Sequence, residues 1–267
     1  MKTPITYYGG KQKLAKLIIS NIQPHNLYAE PFTGGAAVFF QKEPSNVEVL
    51  NDTNAELMNF YRVVQNDFIA LEKYIRITLH SRRSYEDAIH INKRPHLFNE
   101  VERAWAIWTL SAQGFSGLID GKSWGYDVAK HTTSLKIANK RCSFTEELAI
   151  RLQKVQLECT DAIRIIESRD SEKAFFYCDP PYVGSDCGHY DGYSQKDFDC
   201  LLEALSNIKG KFLLSSYRNA NLTAFKQRLN WHQIEVQQNV SVNKGSGKAK
   251  IEVMTANYPI SADSVKK

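Results

Sequence analysis

An apolar run in the sequence FFYCDPPYVG ends in Asp179-Pro180-Pro181-Tyr182. The residues Ala174 to Cys178 are typical of a short buried strand. Proline has no N–H to donate to a neighbouring strand, so the strand must stop at the two prolines. A carboxylate and an aromatic ring therefore lie at the end of the strand. In an arbitrary chain this pattern is an ordinary strand end with a surface aspartate and a half-buried tyrosine.

The same four residues have the chemistry to activate an aromatic amino group. Such an amino group is a poor nucleophile because its lone pair is delocalised into the ring. The carboxylate of Asp179 and the carbonyl of Pro180 can accept both amino hydrogens, which favours a pyramidal nitrogen that can attack an electrophile. The ring of Tyr182 can stack on the same base. We find no obvious nucleophile for covalent catalysis.

Two earlier stretches, EPFTGG and NDTN, are candidates for a nucleoside site. Gly34 and Gly35 allow the backbone to approach a ligand closely, and Asp52 follows a strand, where an acid commonly accepts hydrogen bonds from ribose hydroxyls. Neither stretch is a G-x-G-x-x-G fingerprint, and no Walker lysine follows. A nucleoside ligand without a phosphate tail fits better than a dinucleotide or a nucleoside triphosphate.

Strand and helix signals alternate in the elements that must position these residues. In the first quarter we predict an amphipathic helix over Lys11 to Ile22, a strand over Leu27 to Ala29, a helix over AAVFFQK, a strand over Val47 to Leu50 and a helix capped near Thr53 or Asn54. From about 68 to about 152 the pattern is mostly helical, with an irregular stretch from Gly114 to Ser143, and indicates an insert. Strand signals resume in VQLEC, AFFYC, KFLLSS, HQIEVQQNVSV and KAKIEVMTANY. The pattern predicts an α/β fold with a parallel sheet and an antiparallel hairpin at its end.

Composition limits the classes of protein and of site. The 267 residues carry a formal net charge of +5, which permits nucleic-acid binding without requiring it. The five cysteines include no C-x-x-C pair, and no histidine lies at metal-ligand spacing from them, so we expect no metal. The odd number of cysteines and the lack of a secretory signal or a long apolar run indicate a reduced, cytoplasmic protein that does not enter a membrane.

Several motifs, in their order along the chain, resemble the Dam-type adenine-specific DNA methyltransferases (D12 class, alpha group). They are TYYGGKQKL, YAEPFTGGAAVFF, NDTNAELMNFY, GFSGL, DPPYVG with the following YSQKDF, and KIEVMTANY. The resemblance implies a Rossmann-like S-adenosylmethionine-dependent methyltransferase sheet. It further implies transfer of a methyl group to N6 of an adenine in double-stranded DNA. Residues 1–67 and 153–267 would form the catalytic domain, and 68–152 the inserted target-recognition domain.

Carried over by position, the resemblance also assigns roles to individual residues. The implied cofactor contacts are Tyr7, Lys11, Phe32, Gly34, Gly35, Asp52, Asp161 and Asp179. Asp179, Pro180 and Tyr182 would meet the target adenine. The alternatives are an exposed amino-terminal strap for Tyr7 and Lys11, core packing for Phe32, and an N-cap for Asp161.

The chain departs from its relatives at two places. Ala36 stands where they often have a third glycine-like position, which we interpret as the minor addition of a methyl group. The segment Ser111 to Gly117 replaces their N-R-x-G-F-N-G, so the recognition sequence of a relative is not transferred.

Basic and aromatic residues in the insert suit a nucleic-acid surface, although a solvated face with a few packing aromatics is an equal alternative. The candidate DNA-binding residues are Lys122, Trp124, Tyr126, Lys136, Lys140 and Arg141, together with Lys244 and Lys248 in a loop before the last strand. We expect the target base to be extruded from the duplex at a cost of roughly a few kcal/mol. The loop with Gly184, Gly188 and Gly192 would close over it.

The leading hypothesis is thus an adenine-specific DNA methyltransferase, solitary or part of a restriction-modification pair, that transfers the methyl group in line without a metal. We expect a monomer without a stable complex with a cognate restriction endonuclease. Methylation of RNA or of a protein amide is a second hypothesis, and a catalytically silent DNA-binding protein is a third.

Overall fold

The computed structural model describes residues 1–128, 132–183, 193–236 and 251–262. Within these ranges the strands are β1 (Leu27–Glu30), β2 (Val47–Asn51), β3 (Gln156–Glu158), β4 (Ala174–Cys178), β5 (Lys211–Tyr217), β6 (His232–Val236) and β7 (Glu252–Ala256). They form one seven-stranded sheet in the order β3-β2-β1-β4-β5-β7-β6. β4 pairs in parallel with β1 and β5, whereas β7 is antiparallel to both β5 and β6. The predicted α/β class and the antiparallel pair at its end are confirmed.

Helices connect most of these strands. Their bounds in the described residues are α1 (Ala15–Ser20), α2 (Ala55–Asn66), α3 (Phe68–Ile77), α4 (Arg82–Lys93), α5 (Glu100–Gln113), α6 (Thr132–Cys142), α7 (Glu147–Leu152), α8 (Ala162–Arg169), α9 (Gln195–Asn207) and α10 (Ala220–Leu229). The predicted cap at Asn54 is confirmed, because its side chain accepts hydrogen bonds from the N–H groups of Glu56 and Leu57. The helix predicted over Lys11 to Ile22 is confirmed only in its central part.

Two predictions about secondary structure were wrong. The segment AAVFFQK forms successive turns and no regular helix. Its first residue, Ala36, has a φ of +51°, in the left-handed region, so a right-handed helix cannot include it. The stretch from Gly114 to Ser143 is not irregular throughout, since it contains α6. Only Ile137 of α6 is buried, so the helix lacks the apolar periodicity by which sequence reveals a helix. Its first turn is fixed instead by Asp127, whose carboxylate accepts the N–H groups of Thr133 and Ser134.

The chain divides into two compact units. The first contains Met1–Gln12, Thr33–Glu43 and Leu50–Thr160, and the second contains Lys13–Phe32, Pro44–Val49 and the described part of Asp161–Lys267. In the first unit, Arg103 of α5 donates two hydrogen bonds to Glu56 of α2, at 2.8 and 2.6 Å. The second unit has an apolar core in which residues of the strands, such as Phe176, Phe212 and Leu214, pack against Leu202 of α9.

Candidate functional site

The turn Thr33-Gly34-Gly35 in the first unit is tied to the end of β2. Thr33 donates its N–H to the carbonyl of Asn51 at 2.8 Å. Gly34, whose φ of +47° favours glycine, donates its N–H to Oδ2 of Asp52 at 3.0 Å, and Oδ1 of Asp52 accepts the N–H of Asn54 at 2.9 Å. One buried carboxylate thereby orders two main-chain segments.

The carboxylate of Asp52 keeps capacity for further hydrogen bonds. Asp52 is only 7% exposed, and this burial raises its pKa above the ordinary value of 3.8, although the N–H groups of Asn54 and Gly34 lower the pKa in part. Each carboxylate oxygen has two lone pairs, so each can accept another hydrogen in addition to its main-chain partner. Ribose hydroxyls have the chemistry to supply those hydrogens.

Tyr7 packs closely on the two glycines. A Cβ atom added to Gly35 would lie 2.9 Å from Tyr7 Cβ, and one added to Gly34 would lie 3.1 Å from Tyr7 Cδ1. Tyr7 and Lys11 are both buried, and the Lys11 ammonium donates to the carbonyl of Gly9 at 3.0 Å. The alternative of an exposed amino-terminal strap was therefore wrong.

The Asp179-Pro180-Pro181-Tyr182 sequence follows β4 directly in the second unit. Asp179 and Tyr182 are half-buried, and Pro180 is buried. The hydroxyl of Tyr182 donates to Oε1 of Glu252 at 2.8 Å, and its ring meets the Tyr217 ring edge to face, with centroids 4.5 Å apart. Burial first, and then the nearby Asp179 and Glu252, raise the pKa of Tyr182 well above its ordinary value, so the hydroxyl remains a donor.

The sequence reasoning assigned no role to four polar side chains of the second unit, which are those of Glu30, Tyr177, Tyr193 and Glu252. Glu30 ends β1, is buried and accepts a hydrogen bond from the Tyr28 hydroxyl at 2.8 Å. The Tyr177 hydroxyl lies 3.2 Å from that of Ser215. The pKa of Tyr177 is raised well above its ordinary value by burial first and then by Asp179.

The other two missed residues, Glu252 and Tyr193, lay in quoted motifs without an assigned role. A detectable signal existed for Glu30 and Glu252, because each is an acid within a run of strand residues that are otherwise mostly uncharged. Tyr193 and Tyr177 gave no such signal, because aromatic residues are common in buried strands and loops.

The two residues with structural alternatives, Phe32 and Asp161, both fulfil them. Phe32 packs against the apolar core and meets the Tyr193 ring edge to face, with centroids 6.2 Å apart. Asp161 caps α8, and its Oδ1 accepts the N–H of Ile163 at 2.8 Å. Cofactor contact by either residue stays a prediction.

Residues 7–241 match the model of a protein family, the D12 class N6 adenine-specific DNA methyltransferases. The chain belongs to this family. It is an adenine-specific DNA methyltransferase, as the order of its motifs predicted.

Similar proteins share nearly the full length of the methyltransferase. The type II methyltransferase M1.LlaDCHI of Lactococcus lactis subsp. cremoris is 27% identical over 94% of this chain and 93% of its own. The DNA adenine methylase of Escherichia coli strain K12 is 23% identical over 95% of this chain and 94% of its own. The retron Ec67 DNA adenine methylase of Escherichia coli is 22% identical over 96% of this chain and 92% of its own.

The family implies S-adenosylmethionine as the methyl donor, and the residues of the methyltransferase fit that group. The turn at Gly34 and Gly35 admits no Cβ without displacing Tyr7, and the Asp52 carboxylate offers the acceptors that a ribose diol requires. In the part of the chain that the structure describes, no group of three or more His, Cys, Asp or Glu is arranged to hold a metal ion. Within the same ranges, none of the helices has the length and apolarity to cross a membrane.

The aromatic candidates for DNA contact lie in the first unit of the methyltransferase. The Trp124 ring stacks with His80 and with Tyr126, with centroids at 4.7 and 5.9 Å, and the Arg82 guanidinium lies over the ring, 4.5 Å from its centroid. Trp124 also donates its ring N–H to Oε1 of Gln113 at 3.1 Å. Tyr126, by contrast, is 62% exposed. The structure thus gives Trp124 a packing role and leaves most of the Tyr126 ring accessible.

The basic candidates differ in how their charges are placed. Lys136 is exposed on α6, and the Lys122 ammonium lies 3.6 Å from the Asp120 carboxylate. The Lys140 ammonium donates to the main-chain carbonyl of Ser111 at 3.3 Å, and Arg141 donates to that of Arg76 at 3.1 Å. Lys244, Lys248 and the loop glycines Gly184, Gly188 and Gly192 lie outside the described residues.

Proposed function

We propose that this methyltransferase binds the target adenine at Asp179, Pro180 and Tyr182 and S-adenosylmethionine around Asp52. The observation that carries the proposal is the rigid start of the Asp-Pro-Pro-Tyr sequence. Asp179 follows β4 directly, the buried Pro180 comes next, and the Asp179 carboxylate and the Tyr182 ring are both half-buried.

At the adenine, the residues act by holding the exocyclic amino group. The Asp179 carboxylate and the Pro180 carbonyl accept its two hydrogens, which directs the nitrogen lone pair away from the ring plane. Tyr182 stacks on the base, and its hydroxyl is already engaged by Glu252. Asp179 acts mainly as an acceptor rather than as a strong base. The new N–C bond forms as the bond between the methyl group and sulfur breaks, and the amino proton leaves to water after, or as, positive charge develops on nitrogen.

At the cofactor, S-adenosylmethionine supplies a methyl group bonded to a positively charged sulfur. Asp52 accepts hydrogen bonds from the ribose hydroxyls, and Gly34 and Gly35 keep the backbone close to the ligand. Tyr7, Lys11, Phe32 and Asp161 complete the proposed contacts, together with Asp179. The burial of Tyr7, Lys11 and Asp52 supports this assignment, because a shielded carboxylate makes stronger hydrogen bonds than one in water.

For the DNA duplex, we propose that residues 68–152 serve as the target-recognition insert and that 1–67 and 153–267 form the catalytic domain. Exposed Tyr126 and Lys136 support a DNA surface on the insert. The target adenine leaves the duplex before transfer, because its amino group is otherwise paired. The protein acts as a monomer, and a partner endonuclease, if encoded, forms no stable complex with it.

The test is transfer of labelled methyl groups from S-adenosylmethionine to unmethylated double-stranded DNA, with nucleoside analysis and sequencing of the modified positions. Wild type is compared with Asp179→Ala and with Glu203→Gln, a control at an exposed acid on α9. We expect methyladenine at a defined sequence in wild type and the control, and a loss of roughly 100-fold or more in Asp179→Ala, whose folding is unchanged. Wild-type activity in Asp179→Ala would contradict the proposed mechanism.

The same assay separates the alternative substrates. Label recovered in RNA or protein, with none in DNA, would favour the second hypothesis. Binding of the cofactor without label in any substrate would favour a silent DNA-binding protein.

A further inference from the structure

We propose that Glu252 is a positioning residue that fixes the ring of Tyr182 for stacking on the target base. The inference rests on the proposed stacking role of Tyr182. Oε1 of Glu252 accepts the Tyr182 hydroxyl at 2.8 Å, which is a normal length for a hydrogen bond between a hydroxyl and a carboxylate.

The backbone of Glu252 is held from both sides. In the sheet it lies opposite Tyr217 of β5 and Val236 of β6, so two strands determine its position. The residue as a whole is only 7% exposed. A carboxylate in such a site requires a hydrogen-bond donor, and the Tyr182 hydroxyl supplies one.

The Tyr182 ring is thus restrained by its main chain, by a hydrogen bond and by a ring contact. The main chain before it is stiffened by Pro180 and Pro181, the hydroxyl end is held by Glu252, and one side meets Tyr217 edge to face at 4.5 Å. A ring fixed in this way loses little further conformational freedom when a base stacks on it. The proposed role of Glu252 is therefore to lower the entropic cost of binding the extruded adenine.

The experiment is a double-mutant cycle between Glu252 and Tyr182. Glu252→Leu removes the acceptor, Glu252→Gln retains an amide oxygen that can accept, and Tyr182→Phe removes only the donor. Each variant is assayed for kcat and for KM with DNA, and for the fluorescence of 2-aminopurine placed at the methylated position. Glu235→Gln, an exposed acid on the neighbouring strand β6, is the matched control.

We expect Glu252→Leu and Tyr182→Phe each to lower kcat/KM for DNA by about 10-fold, the value of one such hydrogen bond. Their double variant should lose no more than either single variant, and Glu252→Gln should retain most activity. The two single variants should also change the 2-aminopurine fluorescence by the same amount. In the control and in Glu252→Gln, the cofactor affinity and the thermal midpoint should both stay at the wild-type values.

Additive losses in the double variant, or wild-type kinetics in Glu252→Leu, would overturn the inference. If Glu252→Leu fails to fold, Tyr182→Phe and Glu252→Gln still decide, since wild-type kinetics in Tyr182→Phe would also overturn it. Tyr182→Ala separates this inference from the proposed site. Full activity of Tyr182→Ala would refute the stacking role itself. If Tyr182→Ala is inactive but Glu252→Leu has wild-type kinetics, only the role of Glu252 is refuted.

Discussion

The main-chain N–H of Gly34 donates to Oδ2 of Asp52 at 3.0 Å, so the glycine turn after β1 and the carboxylate after β2 are ordered by the same hydrogen bond. The Asp52 carboxylate thus has a structural role, and the role proposed for it in binding the cofactor ribose is additional. Substitutions at the glycines and at the carboxylate should affect the two roles differently.

Adding a methyl group at either glycine should displace Tyr7, but through different atoms. Gly35→Ala places its Cβ against Tyr7 Cβ, and Gly34→Ala places its Cβ against the Tyr7 ring at a positive φ. We expect each to lower the free energy of unfolding by about 1–3 kcal/mol and to weaken cofactor binding. Tyr7→Ala should relieve part of the loss in Gly34→Ala and none in Gly35→Ala, because alanine retains the Cβ atom. Urea denaturation of the single and double variants measures this, and equal relief at both sites would contradict it.

Replacing Ala36 by glycine should stabilise the protein. The φ of +51° at Ala36 is strained for a residue with a Cβ atom, so the methyl group interpreted as minor from the sequence has a conformational cost. We expect Ala36→Gly to raise the free energy of unfolding by about 0.5–1 kcal/mol, after the larger entropy of glycine in the unfolded chain is included. Ala37→Gly, at a buried neighbour with no positive φ, is the control and should be destabilised.

The raised pKa of Asp52 predicts opposite effects of acid on binding and on stability. As pH falls through the folded pKa, which lies above 3.8, protonation removes acceptors and cofactor binding should weaken. Over the same range the folded state binds more protons than the unfolded state, so the contribution of Asp52 to stability should rise toward pH 3.8. Calorimetric titration with S-adenosylhomocysteine and denaturation, each from pH 4 to 7, measure both trends. Asp52→Asn should lack both, and identical profiles in the variant would contradict the assignment.

Lys140 should lower stability at neutral pH. Burial, with a smaller effect of nearby Lys136, lowers its pKa to about 8 from the ordinary 10.5. Between these values the unfolded chain binds more protons than the folded protein, so stability should rise as pH increases from 8 to 10.5. Lys140→Met should reduce that slope, as measured by denaturation at several pH values. Lys136→Met, at an exposed position on the same helix, removes only the smaller of the two causes and should therefore reduce the slope much less than Lys140→Met does.

The stacked aromatics should divide into a binding and a packing residue. Tyr126→Ala, at a largely exposed ring, should reduce DNA affinity by about 10-fold through lost stacking and leave stability within about 0.5 kcal/mol of wild type. Trp124→Ala should destabilise the fold by about 1–3 kcal/mol, because it also removes a donor to Gln113. Fluorescence anisotropy with labelled duplex and thermal unfolding measure the two effects, and a destabilised Tyr126→Ala would reverse the assignment.

The sequence predicted the strands and the capped helix α2 well because their signals are local. Apolar runs predicted β4 and β5, and Asn54 predicted the start of α2. The turn at Ala36 and the helix α6 were mispredicted because one depends on a left-handed backbone angle and the other on a carboxylate five residues upstream. Neither property appears in the hydrophobic pattern.

For the candidate site, sequence motifs identified Asp52, Asp179 and Tyr182 as candidate residues. The pairing of Tyr182 with Glu252 joins residues 70 positions apart. It follows from strand pairing and side-chain direction, which a single sequence does not encode in any local pattern. The fold and the family were therefore easier to predict from sequence than the contact that holds the Tyr182 side chain.

The place of β7 affects how the chain can assemble during synthesis. β7 is the last described strand in chain order, yet it lies between β5 and β6 and not at the edge of the sheet. Until it leaves the ribosome, β5 keeps an open edge and β6 lacks the strand with which it pairs. A nascent or prematurely terminated chain that ends before Glu252 thus exposes unpaired strand edges, which are prone to aggregation, and also lacks the acceptor for Tyr182. Completion of the sheet and completion of this tyrosine contact are the same late event in translation.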